Sequence, residues 1–241
     1  MSITLGEIRN RQGEKLDYTF HTTEQESNHV VVIGHGVTGN KDRPLIVALA
    51  EVLVKNGIQV LRFSFSGNGD SEGNFKDSCI SKEIEDLGCI LDALNDYEIT
   101  YAGHSMGGAV GVIKTTQDPR IRKLISLAGM VHTKAFAERE FSSETPDQGC
   151  MWEKSECPLS STYMSDMASI QTVINQASKV RVPWLLIHGT EDDVVPLQDS
   201  LDVLPIANEP IELFQIEGAD HVFDGASTQV MCQKIVEWLA D

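Results

Sequence analysis

Apolar residues run along this chain in two rhythms. Short unbroken runs such as Val30-Val31-Val32-Ile33 and Trp184-Leu185-Leu186-Ile187 have the character of strands buried on both faces of a parallel sheet. Longer stretches repeat with the helical period: over Pro44–Lys55, residues Leu45, Ala48, Leu49, Val52 and Leu53 share one face. In order, the pattern predicts strands over 30–33, 58–63, 99–102, 121–128, 183–188 and 210–216. Helices are predicted over 44–55, 81–94, the stretch following residue 105, 197–204 and 227–239. Before them, alternation over 3–9 and 15–21 around the polar turn Asn10-Arg11-Gln12-Gly13 predicts an opening hairpin. Strands alternating with helices at this spacing predict an α/β fold, a mostly parallel central sheet with helices on both faces.

The rhythm fails once. Between 129 and 179 there is no strand of the regular series, only a charged segment carrying Phe136, Phe141, Met151, Trp152, Met164 and Met167. An insertion this long in a compact domain is commonly a functional lid. The division expected is therefore a core over 1–128 and 180–241 with a cap over 129–179. In that reading Trp152 and Met130 line the substrate pocket. The plainer alternative is a surface excursion whose apolar residues pack on the core.

Composition narrows the function. With 36 acidic against 19 basic residues the net charge is -17, and no Lys/Arg cluster is present, so neither nucleic acid nor an anionic membrane is an expected partner. The acidic surface reads most simply as a solvated, self-repelling face. No apolar run nears the ~20 residues needed to cross a membrane. The first residues, Met-Ser-Ile-Thr-Leu-Gly-Glu-Ile-Arg-Asn, carry no export-signal pattern, and the expected location is the cytoplasm. Five cysteines (79, 89, 150, 157 and 232) without C-x-x-C spacing fit reduced thiols, with Cys150 and Cys157 the one pair close enough to raise a bridge. No His/Cys spacing predicts a metal, and no cofactor is implied.

The candidate chemistry centres on Gly103-His104-Ser105-Met106-Gly107-Gly108, which follows a short apolar strand and leads into small residues suited to a helix packed close to a sheet. A G-x-S-x-G turn between strand and helix holds its serine in strained backbone geometry at the carboxyl end of the sheet, which makes Ser105 the candidate nucleophile. A serine hydroxyl needs a base, and the base needs an acid to hold its tautomer. His221 follows the last strand, and Glu191-Asp192-Asp193 follows the one before it. The order serine, acid, histidine is that of hydrolase sheets and not of the other two triad folds. By periodicity alone the three acids remain equivalent. His35 and His188 sit in His-Gly turns and read as structural, whereas strand alternation predicts that His104 points away from the nucleophile.

Gly-His-Ser-Met-Gly-Gly, the early His35-Gly36, the loop Gly67-Asn68-Gly69-Asp70-Ser71, His188-Gly189-x-x-Asp192-x-x-Val195-Pro196 and Gly218-x-x-His221 together resemble the α/β-hydrolase superfamily over most of the chain. Within it, His35-Gly-Val-Thr-Gly-Asn-Lys41 most resembles bacterial cinnamoyl (feruloyl) carboxylesterases, with the serine aminopeptidase and monoacylglycerol lipase-like group next. The resemblance selects Asp192 as the acid. It also implies an acyl-enzyme mechanism in which backbone N–H groups of Val37 and Met106 hold the oxyanion, with a small-molecule ester of an aromatic or short-to-medium acyl acid as substrate. A monomer or homodimer is the assembly expected. The sequence departs from the family at Ser64, where Asp is common, and at Asn68, where His is frequent. Thioester or aminopeptidase chemistry on the same triad, and a non-hydrolytic receptor in the same fold, are the alternatives.

Overall fold

In a computed structural model that describes residues 5–24, 27–208 and 210–240, the chain forms a seven-stranded sheet flanked by helices. In chain order the elements are β1 (Ile8–Arg9), β2 (Lys15–Leu16), β3 (Tyr18–His21), β4 (His29–Gly34), α1 (Pro44–Lys55), β5 (Gln59–Phe63), α2 (Ile80–Ala93), β6 (Glu98–His104) and α3 (Met106–Gln117). There follow β7 (Ile121–Leu127), α4 (Thr133–Phe141), α5 (Ser161–Ile170), α6 (Ile174–Ala177), β8 (Trp184–Gly189), α7 (Leu197–Val203), β9 (Ile211–Ile216) and α8 (Ala226–Ala240). The strand order is β3-β5-β4-β6-β7-β8-β9, parallel throughout except for β3, which runs antiparallel to β5.

Side-chain alternation along each strand divides the core in two. Val30 and Val32 of β4 face the layer built by α2 and α3, and Val31 and Ile33 face the layer built by α1 and α8. The same split recurs at Tyr101 and Ala102 of β6, and at Trp184 and Leu185 of β8. Because both faces are covered, every one of these positions is apolar, which is why the strands read as unbroken runs.

The opening hairpin is smaller than the alternation predicts. Ile8 pairs with Leu16 and Arg9 with Lys15, and then the chain leaves the hairpin. Asp17 makes the break: its carbonyl accepts the Ser64 amide at 2.9 Å and its own amide donates to Ser71 Oγ at 2.8 Å. Tyr18–His21 thereby joins the main sheet beside β5 instead of continuing the hairpin. Residues 3 and 4 of the expected first strand lie outside the described residues.

Segment 129–179 forms α4, α5 and α6 with irregular connections. The Ser160 side chain caps α5 by accepting the Tyr163 amide at 3.0 Å, and Thr133 Oγ1 donates to the Met167 carbonyl at 2.9 Å, tying α4 to α5. Phe136, Phe141, Met151 and Met167 are buried in the same cluster as α2 and α3. Phe141 is the hub of an aromatic group, with ring centroids 5.0 Å from Trp152, 6.0 Å from Tyr163 and 6.1 Å from Phe136. Only Trp152 of these large residues stays exposed, and it and Glu153 adopt left-handed backbone angles (φ 47° and 59°) that non-glycine residues seldom take. All five cysteines, Cys150 and Cys157 included, are free thiols.

At the end of β6, a β-carbon on Gly103 would lie 2.2 Å from the Gly107 carbonyl oxygen and 2.7 Å from the Gly108 nitrogen. Gly103→Ala is expected to lower unfolding free energy by roughly 3 kcal/mol or more. Gly13→Ala, at φ +83° with open space around it, should cost about 1 kcal/mol. Urea unfolding of the two variants checks the contrast.

Candidate active site

Ser105 stands at the junction of β6 and α3 with φ 54° and ψ -120°, a conformation that a side chain normally avoids. Main-chain contacts hold it there. Its amide donates to the Leu127 carbonyl at 2.9 Å, and its carbonyl accepts the amides of Gly108 at 2.9 Å and Met130 at 3.0 Å. The neighbouring glycines make the crowding feasible. A β-carbon on Gly107 would lie 2.6 Å from the His35 oxygen, and one on Gly108 would lie 2.8 Å from the Gly129 α-carbon. From the other side, a β-carbon on Gly36 would sit 2.7 Å from that of Ser105, so the loop after β4 lies directly against the serine.

That loop and the start of α3 offer two free donors. Neither the Val37 amide nor the Met106 amide has a protein acceptor among the described residues, and Val37 lines the cavity onto which Ser105 opens. Met130 contributes differently from the expectation. Its side chain is buried in the core cluster with α2 and α3 and does not line this cavity, while its amide donates to the Ser105 carbonyl. Trp152 does line it.

The loops after β8 and β9 bring Asp192 and His221 together. His221 Nδ1 lies 2.8 Å from Asp192 Oδ2. A fully buried carboxylate needs its lone pairs filled, and Asp192 fills them. Oδ1 accepts the amides of Val194 at 2.9 Å and Val195 at 2.8 Å, and His188 Nε2 approaches Oδ2 at 3.3 Å. Burial acts to raise the Asp192 carboxyl, but the His188, His221 and Val195 contacts outweigh it and hold the group far below the usual carboxylate range. Glu191 and Asp193 are exposed, and neither pairs with His221 among the described residues.

His188 is more than a turn residue. Its Nε2 faces two acceptors, the Val195 carbonyl at 2.9 Å and Asp192, so that nitrogen carries the proton and Nδ1 accepts from Ser200 Oγ at 2.7 Å. His221 thus shares the carboxylate with a second, wholly buried imidazole.

His104 departs from the strand-alternation expectation. It does not point away: its Nε2 donates to the His221 carbonyl at 2.9 Å and the two rings lie 4.8 Å apart. The reason is local. At Ser105 the backbone leaves β geometry, so the pleat that would have fixed the direction of its neighbour has already ended. Burial, and next the charge of His221, pushes the His104 imidazole down to about 3, which keeps it neutral.

Among the hydrogen bonds of the described residues there is none from Ser105 Oγ to His221; both side chains line one cavity of about 630 Å³. Catalytic contacts of this kind are often long before substrate arrives. The cavity is walled by the loop after β4, the first turn of α1, Trp152 and Lys154, and the loop that carries His221. The Ser64 and Asn68 departures sit in a well-tied loop. Buried Ser64 accepts the Lys41 amide at 3.1 Å and its carbonyl accepts Ser71 Oγ at 2.7 Å; Asn68 Nδ2 donates to Ser66 O at 3.2 Å and Ser78 Oγ at 3.0 Å. No group of three or more His, Cys, Asp or Glu residues able to hold a metal occurs among the described residues, and no described helix is long and apolar enough to cross a membrane.

His35, 2% exposed, fixes the loop against the serine: Nε2 accepts the Phe65 amide at 3.0 Å and Nδ1 donates to the Gly36 carbonyl at 2.8 Å. Burial lowers the imidazole to about 4, with the Gly36 carbonyl opposing and Arg43 assisting. An unfolded histidine titrates near ~6.5, so this group's contribution to stability is complete above that pH and is lost as pH falls through about 4. The loss amounts to roughly 3 kcal/mol at most. Urea midpoints of the parent should therefore drop between pH 7.5 and 4.5, and His35→Gln should show a shallower drop from a lower starting value.

A family model described as alpha/beta hydrolase fold matches residues 29–147. Palmitoyl-protein thioesterase ABHD10, mitochondrial, of Bos taurus is 26% identical over 201 residues, a stretch covering 77% of this chain and 64% of that protein. The uncharacterised protein YfhR of Salmonella typhi is 27% identical over 205 residues, covering 80% of this chain and 64% of its own. The chain thus spans less than two thirds of the length of either relative. Among solved structures, Est1E from Butyrivibrio proteoclasticus with ferulic acid bound superimposes with a TM-score of 0.87 at 24% identity, covering 98% of both chains. Mouse alpha/beta hydrolase domain-containing protein 10 superimposes at 0.82 and 20% identity, covering 99% of both; at these identities the likeness speaks to fold. Strand order, elbow and family match agree, and the chain has the α/β-hydrolase fold.

Proposed function

We propose that the protein is a serine hydrolase that cleaves carboxylic esters of small aromatic or short-to-medium acyl acids. The observation that carries this reading is the 2.8 Å contact between His221 Nδ1 and a carboxylate whose other lone pairs are already engaged, with His221 and Ser105 on the wall of one cavity. Asp192 accepts a hydrogen bond from His221 Nδ1–H and so fixes the tautomer that leaves the Nε2 lone pair free to take a proton from Ser105 Oγ. The oxygen then bonds to the ester carbonyl carbon, and the amides of Val37 and Met106, unoccupied by protein acceptors, receive the negative oxygen. Collapse of the tetrahedral intermediate breaks the bond to the leaving alcohol, which departs with the proton from His221. Water attacks the acyl-enzyme with His221 again as base, releases the acid and restores Ser105.

Thioester cleavage on the same residues is the second reading, favoured by the name of the bovine relative, a palmitoyl-protein thioesterase. The chemistry is identical up to the leaving atom. Est1E, solved with ferulic acid bound, supports the aromatic ester.

A fluorophosphonate probe should label the parent protein, and p-nitrophenyl esters should be turned over. Labelling without turnover of any ester or thioester would move the reading to a receptor. Ser105→Ala should abolish labelling and turnover with an unchanged urea midpoint. Asp192→Asn should reduce kcat by about 10⁴-fold through the wrong imidazole tautomer, and exposed Asp193→Asn should reduce it less than about threefold. The opposite ranking would move the acid to Asp193. A matched pair, p-nitrophenyl octanoate and octanoyl thioester, separates the two readings: an ester kcat/KM at least tenfold higher is expected, and the reverse would make the protein a thioesterase.

A further inference from the structure

The charged side chains around the cavity do not follow the rest of the molecule. In a chain with 36 acidic and 19 basic residues, the wall formed by the start of α1 and by the stretch after Trp152 presents two cations, Arg43 and Lys154. Neither is in an ion pair among the described residues. The carboxylate next to Arg43, Asp42, is engaged by Lys41 Nζ at 2.7 Å and by Arg62. The Arg43 guanidinium donates to the Thr38 carbonyl at 2.7 Å and keeps its remaining donors.

Lys154 is half-buried between Glu153 and Glu156 in sequence, yet its ammonium lies 5.9 Å from the Trp152 ring centroid and pairs with neither. Glu140, the other carboxylate beside Trp152, accepts Trp152 Nε1 at 3.1 Å and pairs with Arg139 at 3.0 Å. Taking an ammonium partly out of water without a counter-ion costs free energy that a bound anion would offset. Both cations line the same cavity. Burial and Glu156 push the Cys157 thiol up, and Lys154 and Arg43 both act on it in the opposite sense. Asp224, the cavity's one lining carboxylate, belongs to the loop that carries His221, so positive and negative groups stand on different walls.

We propose that the substrate carries a carboxylate or phosphate group, which Arg43 and Lys154 bind at one wall of the cavity while its acyl carbon lies at Ser105. This rests on the hydrolase reading above. Against a strongly acidic surface, such a pair gives the cavity a local positive potential that selects anionic esters and orients them away from Asp224.

Three esters form the test: 4-nitrophenyl octanoate, which is neutral; mono-4-nitrophenyl suberate, charged at the acyl end; and 3-carboxy-4-nitrophenyl octanoate, charged on the leaving group. The quantity read is the ratio of kcat/KM for each charged ester to that for the neutral one. For at least one charged ester, Lys154→Gln should lower the ratio about tenfold and the double variant with Arg43→Gln about a hundredfold. Lys154→Arg should retain it, and 0.5 M NaCl should depress the parent's ratio toward that of the double variant. Whichever ester responds shows which side of the scissile bond bears the charge. A ratio unchanged within twofold in the double variant for both charged esters would overturn the anion site and leave the hydrolase intact. Turnover by the parent of none of the three, nor of octanoyl thioester, would overturn the hydrolase reading and the anion site with it.

Discussion

Three backbone segments converge on Ser105 at distances that exclude a β-carbon. The start of α3 touches the end of β6 at Gly103, the β4 loop at Gly107 and the segment after β7 at Gly108. Where main chain packs on main chain there are no rotamers to adjust, and the serine's position follows from covalent geometry and the sheet register. The left-handed angle at Ser105 persists because the surrounding hydrogen bonds, to Leu127, Gly108 and Met130, leave the residue no alternative. Everything proposed about the cavity depends on this fixed point, since His221, Val37 and the two cations are all located relative to it.

Electrostatics imposes the second constraint. A buried carboxylate is tolerable only with its lone pairs occupied, and Asp192 meets that demand with two backbone amides and two imidazoles. The same burial that strengthens this network keeps His35 and His104 neutral, and both rings hold neighbouring backbone, His35 at Phe65 and Gly36 and His104 at His221. The molecule carries a large acidic excess elsewhere, and at the cavity that sign is locally reversed.

The succession of strands and helices and the loops bearing Ser105, Asp192 and His221 were legible in the sequence because they depend on periodicities of a few residues and on turn chemistry. The split at Asp17 was not, since it depends on hydrogen bonds to Ser64 and Ser71, some fifty residues away. The direction of His104 relative to Ser105 was misread because Ser105 has left the strand that His104 ends, and alternation does not carry across to it. Met130 shares a sequence neighbourhood with the insertion, but its amide is needed at Ser105, and nothing in the order of residues reveals that. The choice among Glu191, Asp192 and Asp193 rested on resemblance; burial of one side chain and exposure of the other two give it a physical basis. Arg43 and Lys154 lie more than a hundred residues apart, and no spacing rule connects them.

The bond from His104 to the His221 carbonyl closes a circuit. His104 is covalently next to Ser105, so the strand that ends at the proposed nucleophile grips the loop that carries the proposed base, a loop whose other ties run to the neighbouring β8 loop at Asp192, Thr190 and Glu191. In mechanical terms Ser105 and His221 share a short local tether and are not spaced only by the accumulated play of β7, β8 and β9. Twisting or breathing at that edge of the sheet would then carry serine and imidazole together, in the way a clamp keeps two parts in register while the bench beneath it flexes.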